Sequence, residues 1–213
     1  MDLEEAYQQQ LTHWRATLSS GAHRIGWKIG FNPPAVQEKL GLTEPVVGHL
    51  TSGTLLGADG SHSLAGAANP LAEPEIAIEI GRDHSIAGLA PAIEIVDIPA
   101  LPEGPGEVGD VVAANVFHRA VAIGSSKQMD SADGIEANLS VNGQVTRTAN
   151  AGSADLLGMV ELVARVLEEA GERLEAGDRI IAGALAPPPQ VGPGDALALG
   201  LGAIGAIEVS LTH

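Results

Sequence analysis

Three glutamates are the residues most suited to chemistry: the pair Glu73-Pro74-Glu75 and, further along, Glu94. Both lie in runs that alternate apolar and acidic residues, 73–80 and 92–98, separated by a connection containing Gly, Asp and Ser. Such alternation predicts two strands joined by a turn-rich loop. On a strand, Glu73, Glu75, Ala77 and Glu79 share one face, and Pro74, Ile76, Ile78 and Ile80 take the other. Carboxylates held side by side repel and bind protons more tightly unless a cation lies between them. A hard divalent ion such as Mg²⁺ or Mn²⁺ takes oxygen ligands and keeps positions open for substrate, and Glu94 would supply the third ligand. In a chain with 27 Asp and Glu, an acidic-x-acidic pair also arises by chance about three times. The pair by itself therefore leaves both a metal site and a solvated acidic strand open.

The wider pattern is more specific. Gly26-Trp27-Lys28-Ile29-Gly30, Pro70-Leu71-Ala72-Glu73-Pro74-Glu75, Ala92-Ile93-Glu94-Ile95-Val96-Asp97 and Gly177-Asp178-Arg179-Ile180-Ile181-Ala182-Gly183-Ala184-Leu185 follow one another in this order. Together they resemble the fumarylacetoacetate hydrolase superfamily, in its 2-oxopent-4-enoate hydratase and 2-oxohex-3-enedioate decarboxylase branch, over about residues 6–211. The resemblance implies an α+β fold built on a mixed, partly closed β-sheet with a few flanking helices. It implies Mg²⁺ or Mn²⁺ on Glu73, Glu75 and Glu94, and a small 2-oxo acid or dienol as substrate. Lys28 is then an active-site residue that binds a substrate carboxylate or moves a proton. Ala184 and Leu185, in the bend after Gly183, approach the substrate.

Several pocket positions depart from that branch. Its acidic residue after Gly-x-Leu falls on Gly53 here, with His49 close enough to substitute. Its Asp-Asn-Ala-Ser becomes Ala114-Asn115-Val116-Phe117, which keeps Asn115 alone as a substrate-facing amide, and its Gly-His-Pro becomes Ala154-Asp155-Leu156. His118 and Arg119 follow, and strand alternation turns only one of them toward the pocket. Arg119 could clamp a second carboxylate through two parallel hydrogen bonds, or serve as a surface ion-pair partner. The leading expectation is a hydratase that adds water to a 2-hydroxy-2,4-dienoate. A decarboxylase, tautomerase or C–C hydrolase of the same superfamily, and a diverged binding partner without catalysis, are the alternatives.

Composition narrows the classes. A net charge of −16 with 2% aromatic residues argues against nucleic acid, which needs cations for its phosphates and aromatic platforms for its bases. No run has the length and hydropathy of a membrane span, and Met1 is followed by acids rather than a basic leader, so the cytoplasm is the expected location. The chain lacks cysteine, which removes disulfides and thiolate sites. At 213 residues, with no linker-like stretch, it is expected to form one domain over 1–213, with a helical segment near residues 2–20. Homo-oligomers are expected from the family.

The positioning elements can be placed by their end signals. Asp2 to Glu5 has capping-box spacing, and Leu3, Tyr7, Leu11, Trp14 and Leu18 recur at helical spacing. Residues 23–30 alternate toward a strand. Asn32-Pro33 predicts a helix start with Asn32 as cap, ending at Gly41. Residues 42–56 are expected to be extended. Residues 101–109 are predicted to be a loop and the apolar run 111–124 a buried strand or strand pair. Asn142-Gly143 predicts a hairpin turn within 135–147. Ser153 or Asp155 is expected to cap a helix through about residue 170, burying Leu156, Leu157, Val160, Val163, Val166 and Leu167, and three strands follow at 179–182, 196–201 and 206–211.

Overall fold

The computed structural model describes residues 1–56 and 60–213. The elements in chain order are α1 (Leu3–Ser19), β1 (Arg24–Gly30), α2 (Pro34–Leu40), β2 (Val46–Thr51), β3 (Ser61–Ser63), β4 (Pro70–Ile80), β5 (Ile86–Asp97), α3 (Pro105–Ala113), β6 (His118–Ile123), β7 (Glu136–Val141), β8 (Gln144–Asn150), α4 (Leu156–Glu169), β9 (Arg179–Ile181), β10 (Ala196–Leu201) and β11 (Gly205–Thr212). One sheet runs β2-β1-β9-β4-β5-β6 and the second β3-β11-β10-β7-β8. Both are mixed, since β1 pairs with β9 and β11 with β3 in parallel while the other pairs are antiparallel.

The six-stranded sheet curls until its two edges meet. Beyond β2 the chain reaches β6, where Leu55 bridges Val121, the Val121 amide donates to the Thr54 carbonyl at 2.9 Å and the Leu56 amide donates to the Val121 carbonyl at 2.8 Å. Closing a sheet removes unpaired edges and creates an inside. Inside it, Ala77, Ala90 and Ala92 pack with Leu50, Val121 and Ile181. On the outside, Ile76, Ile78 and Ile80 of β4 and Ile93 and Ile95 of β5 share one core with Leu139, Leu197, Leu199 and Val209 of the second sheet and with Val160 and Val163 of α4.

Local signals explain most boundaries. Asp2 Oδ1 accepts from the Glu5 amide at 2.9 Å and caps α1, and Asp155 accepts from Gly158 to cap α4. Gly41 ends α2 with φ 66°. Asn142 and Gly143, at φ 52° and 77°, make the β7–β8 turn, the left-handed pair that suits strand twist. Buried Gln10 holds α1 to its neighbours, donating to the carbonyls of Val47 at 3.2 Å and Val112 at 2.6 Å. Among the described residues no helix is long and apolar enough to cross a membrane.

Four expectations are corrected. Segment 101–109 is not all loop, because Pro105 opens α3; a proline suits the first helical turn, where its missing N–H costs nothing. The apolar run 111–124 divides into the end of α3, a turn and β6, a division that hydrophobicity without clear periodicity cannot reveal. Helix α2 begins at Pro34 with Pro33 as its cap, and Asn32 donates instead to the Ala182 carbonyl at 2.8 Å. Leu157, expected on the buried side of α4, is 63% exposed.

Candidate metal centre and its cavity

Strand register brings the three glutamates together. Glu73 of β4 is directly opposite Glu94 of β5, and Glu75 is two residues along on the same face. One carboxylate oxygen from each lies within 4.8 Å of the others. Glu75 and Glu94 are 0% exposed. Burial, with repulsion from Glu94, lifts Glu73 to about 7. Burial, with repulsion from Glu94 and Glu73, lifts Glu75 well above the usual carboxylate range. Glu94 goes the other way: burial would raise it, but the Lys28 ammonium and His118 more than offset that and hold it below its usual value.

Each fully buried carboxylate has one oxygen fixed and one free. Glu75 Oε2 accepts the Gly183 amide at 2.7 Å. Glu94 Oε1 meets Lys28 Nζ and His118 Nδ1, each at 2.7 Å. Glu75 Oε1 and Glu94 Oε2 are buried without a hydrogen-bond partner. A buried unpartnered carboxylate oxygen is costly and rare. Two such oxygens, with the Glu73 carboxylate beside them, fit a hard divalent cation, which would satisfy the free oxygens and remove the repulsion.

The surroundings of this cluster are built with equal care. Lys28, on the inner face of β1, also donates to the Val116 carbonyl at 3.0 Å. Burial opposes its charge, but Glu94, with Glu73 and Glu75, outweighs burial and raises its pKa. Its stem passes over Gly48, where a Cβ would come within 2.8 Å of Lys28 Cγ. Gly183 has φ 88°, and a Cβ there would lie 2.1 Å from the Asn32 side chain, so glycine alone lets its amide reach Glu75. His118 owes its inward aim to a bulge: Ile95 pairs with Ala120 but Val96 pairs with His118, leaving Arg119 as the extra residue. The bulge turns His118 to the face of Glu94. Thr54 Oγ1 donates to the Thr51 carbonyl at 3.3 Å and meets His118 Nε2 at 2.8 Å.

A cavity of about 710 Å³ opens at this cluster, with Lys28, Glu73, Ala184 and Leu185 in its lining. Other expected site residues lie elsewhere, and these are corrections. Arg119 points away, toward Asp97 at 3.7 Å and the Ala65 carbonyl at 3.1 Å, because the bulge gives the inward position to His118. His49 pairs with Trp27, so it shares the outer face and cannot reach the cavity that Lys28 lines. Asn115 is committed to the backbone of His49, accepting from its amide at 2.7 Å and donating to its carbonyl at 3.0 Å. Gly53 supplies no polar group, and the neighbouring Thr54 contacts His118 in that turn. Asn115, Val116 and Phe117 all have positive φ, 65°, 54° and 63°. That strained turn, which aims the Val116 carbonyl at Lys28, left no trace in composition beyond an asparagine tolerant of such a conformation. Thr54 likewise gave no signal, since a lone threonine in a turn is ordinary.

No family model matches this chain. It is 30% identical to the TodF product hydratase of Pseudomonas putida, over 98% of this chain and 84% of that protein. It is 29% identical to a 2-keto-4-pentenoate hydratase of Paraburkholderia xenovorans, over 98% and 83%, and 26% identical to a 4-oxalocrotonate decarboxylase of a Pseudomonas species, over 92% and 81%. Among solved structures it superimposes on the 4-oxalocrotonate decarboxylase of Pseudomonas putida G7, determined with magnesium and adipate, with TM-score 0.87 and 20% identity over 99% of this chain and 86% of that one. The curled mixed sheet and the near full-length likeness agree, and the chain belongs to the hydratase and decarboxylase branch of the fumarylacetoacetate hydrolase superfamily, a branch of lyases.

Proposed function

We propose that the protein adds water to a 2-hydroxy-2,4-dienoate to give a 4-hydroxy-2-oxo acid, with Mg²⁺ or Mn²⁺ held by Glu73, Glu75 and Glu94. The observation that carries this reading is the convergence of two unpartnered buried carboxylate oxygens and a third carboxylate beside a buried ammonium at the cavity. A divalent cation there would accept the carboxylate and 2-oxygen of the substrate and draw electron density from the carbon chain. Glu94 is oriented for this by Lys28 and His118, and Glu75 by the Gly183 amide. Two of the three ammonium donors of Lys28 are taken by Glu94 and Val116, which leaves the third for the substrate. It can steady the carboxylate or deliver a proton to C5 as the dienol becomes the 2-oxo acid, before water adds at C4 and a proton at C3. Ala184 and Leu185 shape the wall against which the carbon chain lies.

The decarboxylase reading needs a cation for a second carboxylate, and among the described residues Lys28 is the one cationic group lining the cavity. C–C hydrolysis through a Glu-His pair would use Glu94 and His118, but both ring nitrogens of His118 are engaged, with Glu94 and Thr54. In the same reading the protein acts in the cytoplasm as a homo-oligomer, which light scattering would test. The direct test follows the ultraviolet absorption of 2-hydroxypenta-2,4-dienoate with Mg²⁺ or Mn²⁺. Turnover that stops on chelation and returns with metal is expected, and turnover untouched by chelation would refute the proposal.

A further inference from the structure

The chain contains two phenylalanines, and both Phe31 and Phe117 line the cavity beside Lys28 and Glu73. Their rings meet edge to face, with centroids 6.4 Å apart and planes at 83°. Their backbones have φ 58° and 63°, a region that bulky residues seldom occupy and that tends to mark places where function sets the conformation. Val36, Ile98 and Leu101 continue the same wall, and Leu101 is 54% exposed. Among the described residues, Lys28 is the one cation in the lining. Lys28 and Glu73 are the charged residues of the lining, Arg119 is turned toward Asp97, and Arg147 donates to the Pro187 carbonyl at 2.6 Å without entering the lining. The volume, about 710 Å³, lies in the upper half of the range that drug-sized ligands fill, far more than a five-carbon acid needs.

We infer that the substrate, on the reading given above, carries a single carboxylate and ends in a bulky planar apolar group, an aryl or extended conjugated substituent, seated against Phe31 and Phe117. The carboxylate and 2-oxygen belong at the glutamate cluster and Lys28, the polar end of the cavity. The tail occupies the apolar wall, where an aromatic ring gains both burial and an edge-to-face partner. A second carboxylate there would lose its water without gaining a cation.

Calorimetry on the Mg²⁺-loaded protein with three unreactive saturated acids tests this: 2-oxopentanoate, 5-phenyl-2-oxopentanoate and 2-oxoadipate. The phenyl acid is expected to bind at least about tenfold tighter than 2-oxopentanoate, the advantage of burying a ring, and 2-oxoadipate no tighter than 2-oxopentanoate. Phe117→Leu and Phe31→Ala should each shrink the ratio between phenyl acid and 2-oxopentanoate toward one, and Arg147→Ala should leave that ratio as it is. Equal affinity for the phenyl and short acids, or tightest binding of 2-oxoadipate, would overturn the inference while leaving the 2-oxo acid reading standing. Binding of none of the three would overturn that reading, and this inference with it.

Discussion

On the outer face of β4 and β5, Ile76, Ile78, Ile80, Ile93 and Ile95 pack into the core shared with the second sheet and α4. One residue along, the inner face of the same strands carries Glu73, Glu75 and Glu94, drawn together with Lys28 and His118. The backbone is common to both, and the difference lies in what burial does. Each isoleucine on the outer face contributes about 1.5–3 kcal/mol by leaving water. Each carboxylate on the inner face loses hydration worth several kcal/mol, which its neighbours only partly restore. The outer face therefore holds the inner face in a state it would not choose alone, and function should be separable from stability by face.

The largest effect should come from the inner face. Glu75→Gln keeps the shape and removes a ligand, so turnover should fall about a thousandfold or more while the melting temperature of the metal-free protein holds or rises. A drop in stability matching the loss of activity would break the contrast. On the outer face, Ile78→Ala should cost about 2–5 kcal/mol in urea unfolding, with turnover per folded molecule changed by no more than a few-fold.

Acidity separates the faces as well. Glu73, with its folded pKa near 7, and Glu75, raised well above the usual carboxylate range, bind protons more tightly folded than unfolded. Their contribution to the metal-free protein is complete below the unfolded value near 4.5 and is lost as pH rises through the folded values, on the order of 3 kcal/mol for Glu73. Melting temperatures of chelated protein should fall from pH 5 to pH 8, and added Mg²⁺ should reverse the trend with release of protons. His49, on the outer face, behaves oppositely. Burial, with His118 and His13, lowers it to about 4, so its contribution is present above about 6.5 and is lost as pH falls toward 4. The loss is on the order of 2 kcal/mol, allowing for its partial exposure. His49→Gln should flatten the acid limb of the stability profile, and an unchanged limb would count against the outward placement of that ring.

The alternation of 73–80 and 92–98 was enough to assign strands, faces and the Glu73–Glu75 pair, because side-chain direction has a period of two. The pairing of Glu73 with Glu94 was not contained in either run, since register depends on the loop between them and on the partners across the sheet. His118 and Arg119 show how little separates the two outcomes: one bulged residue reversed which of them faces Glu94. Asn115 and His49 have the right chemistry for a pocket, yet Asn115 spends its amide on the backbone of His49, and the His49 side chain shares the face of Trp27. Phe117 departs from the family pattern and Phe31 carries no signal of its own; only the fold places both rings on one wall.

The most direct test of the account is anomalous scattering from a crystal soaked with Mn²⁺ and oxalate. It predicts one manganese peak per chain, at about 2.0–2.3 Å from oxygens of Glu73, Glu75 and Glu94, with oxalate on the cavity side. A map with no peak among those three carboxylates, or with manganese bound only elsewhere on the protein, would contradict it.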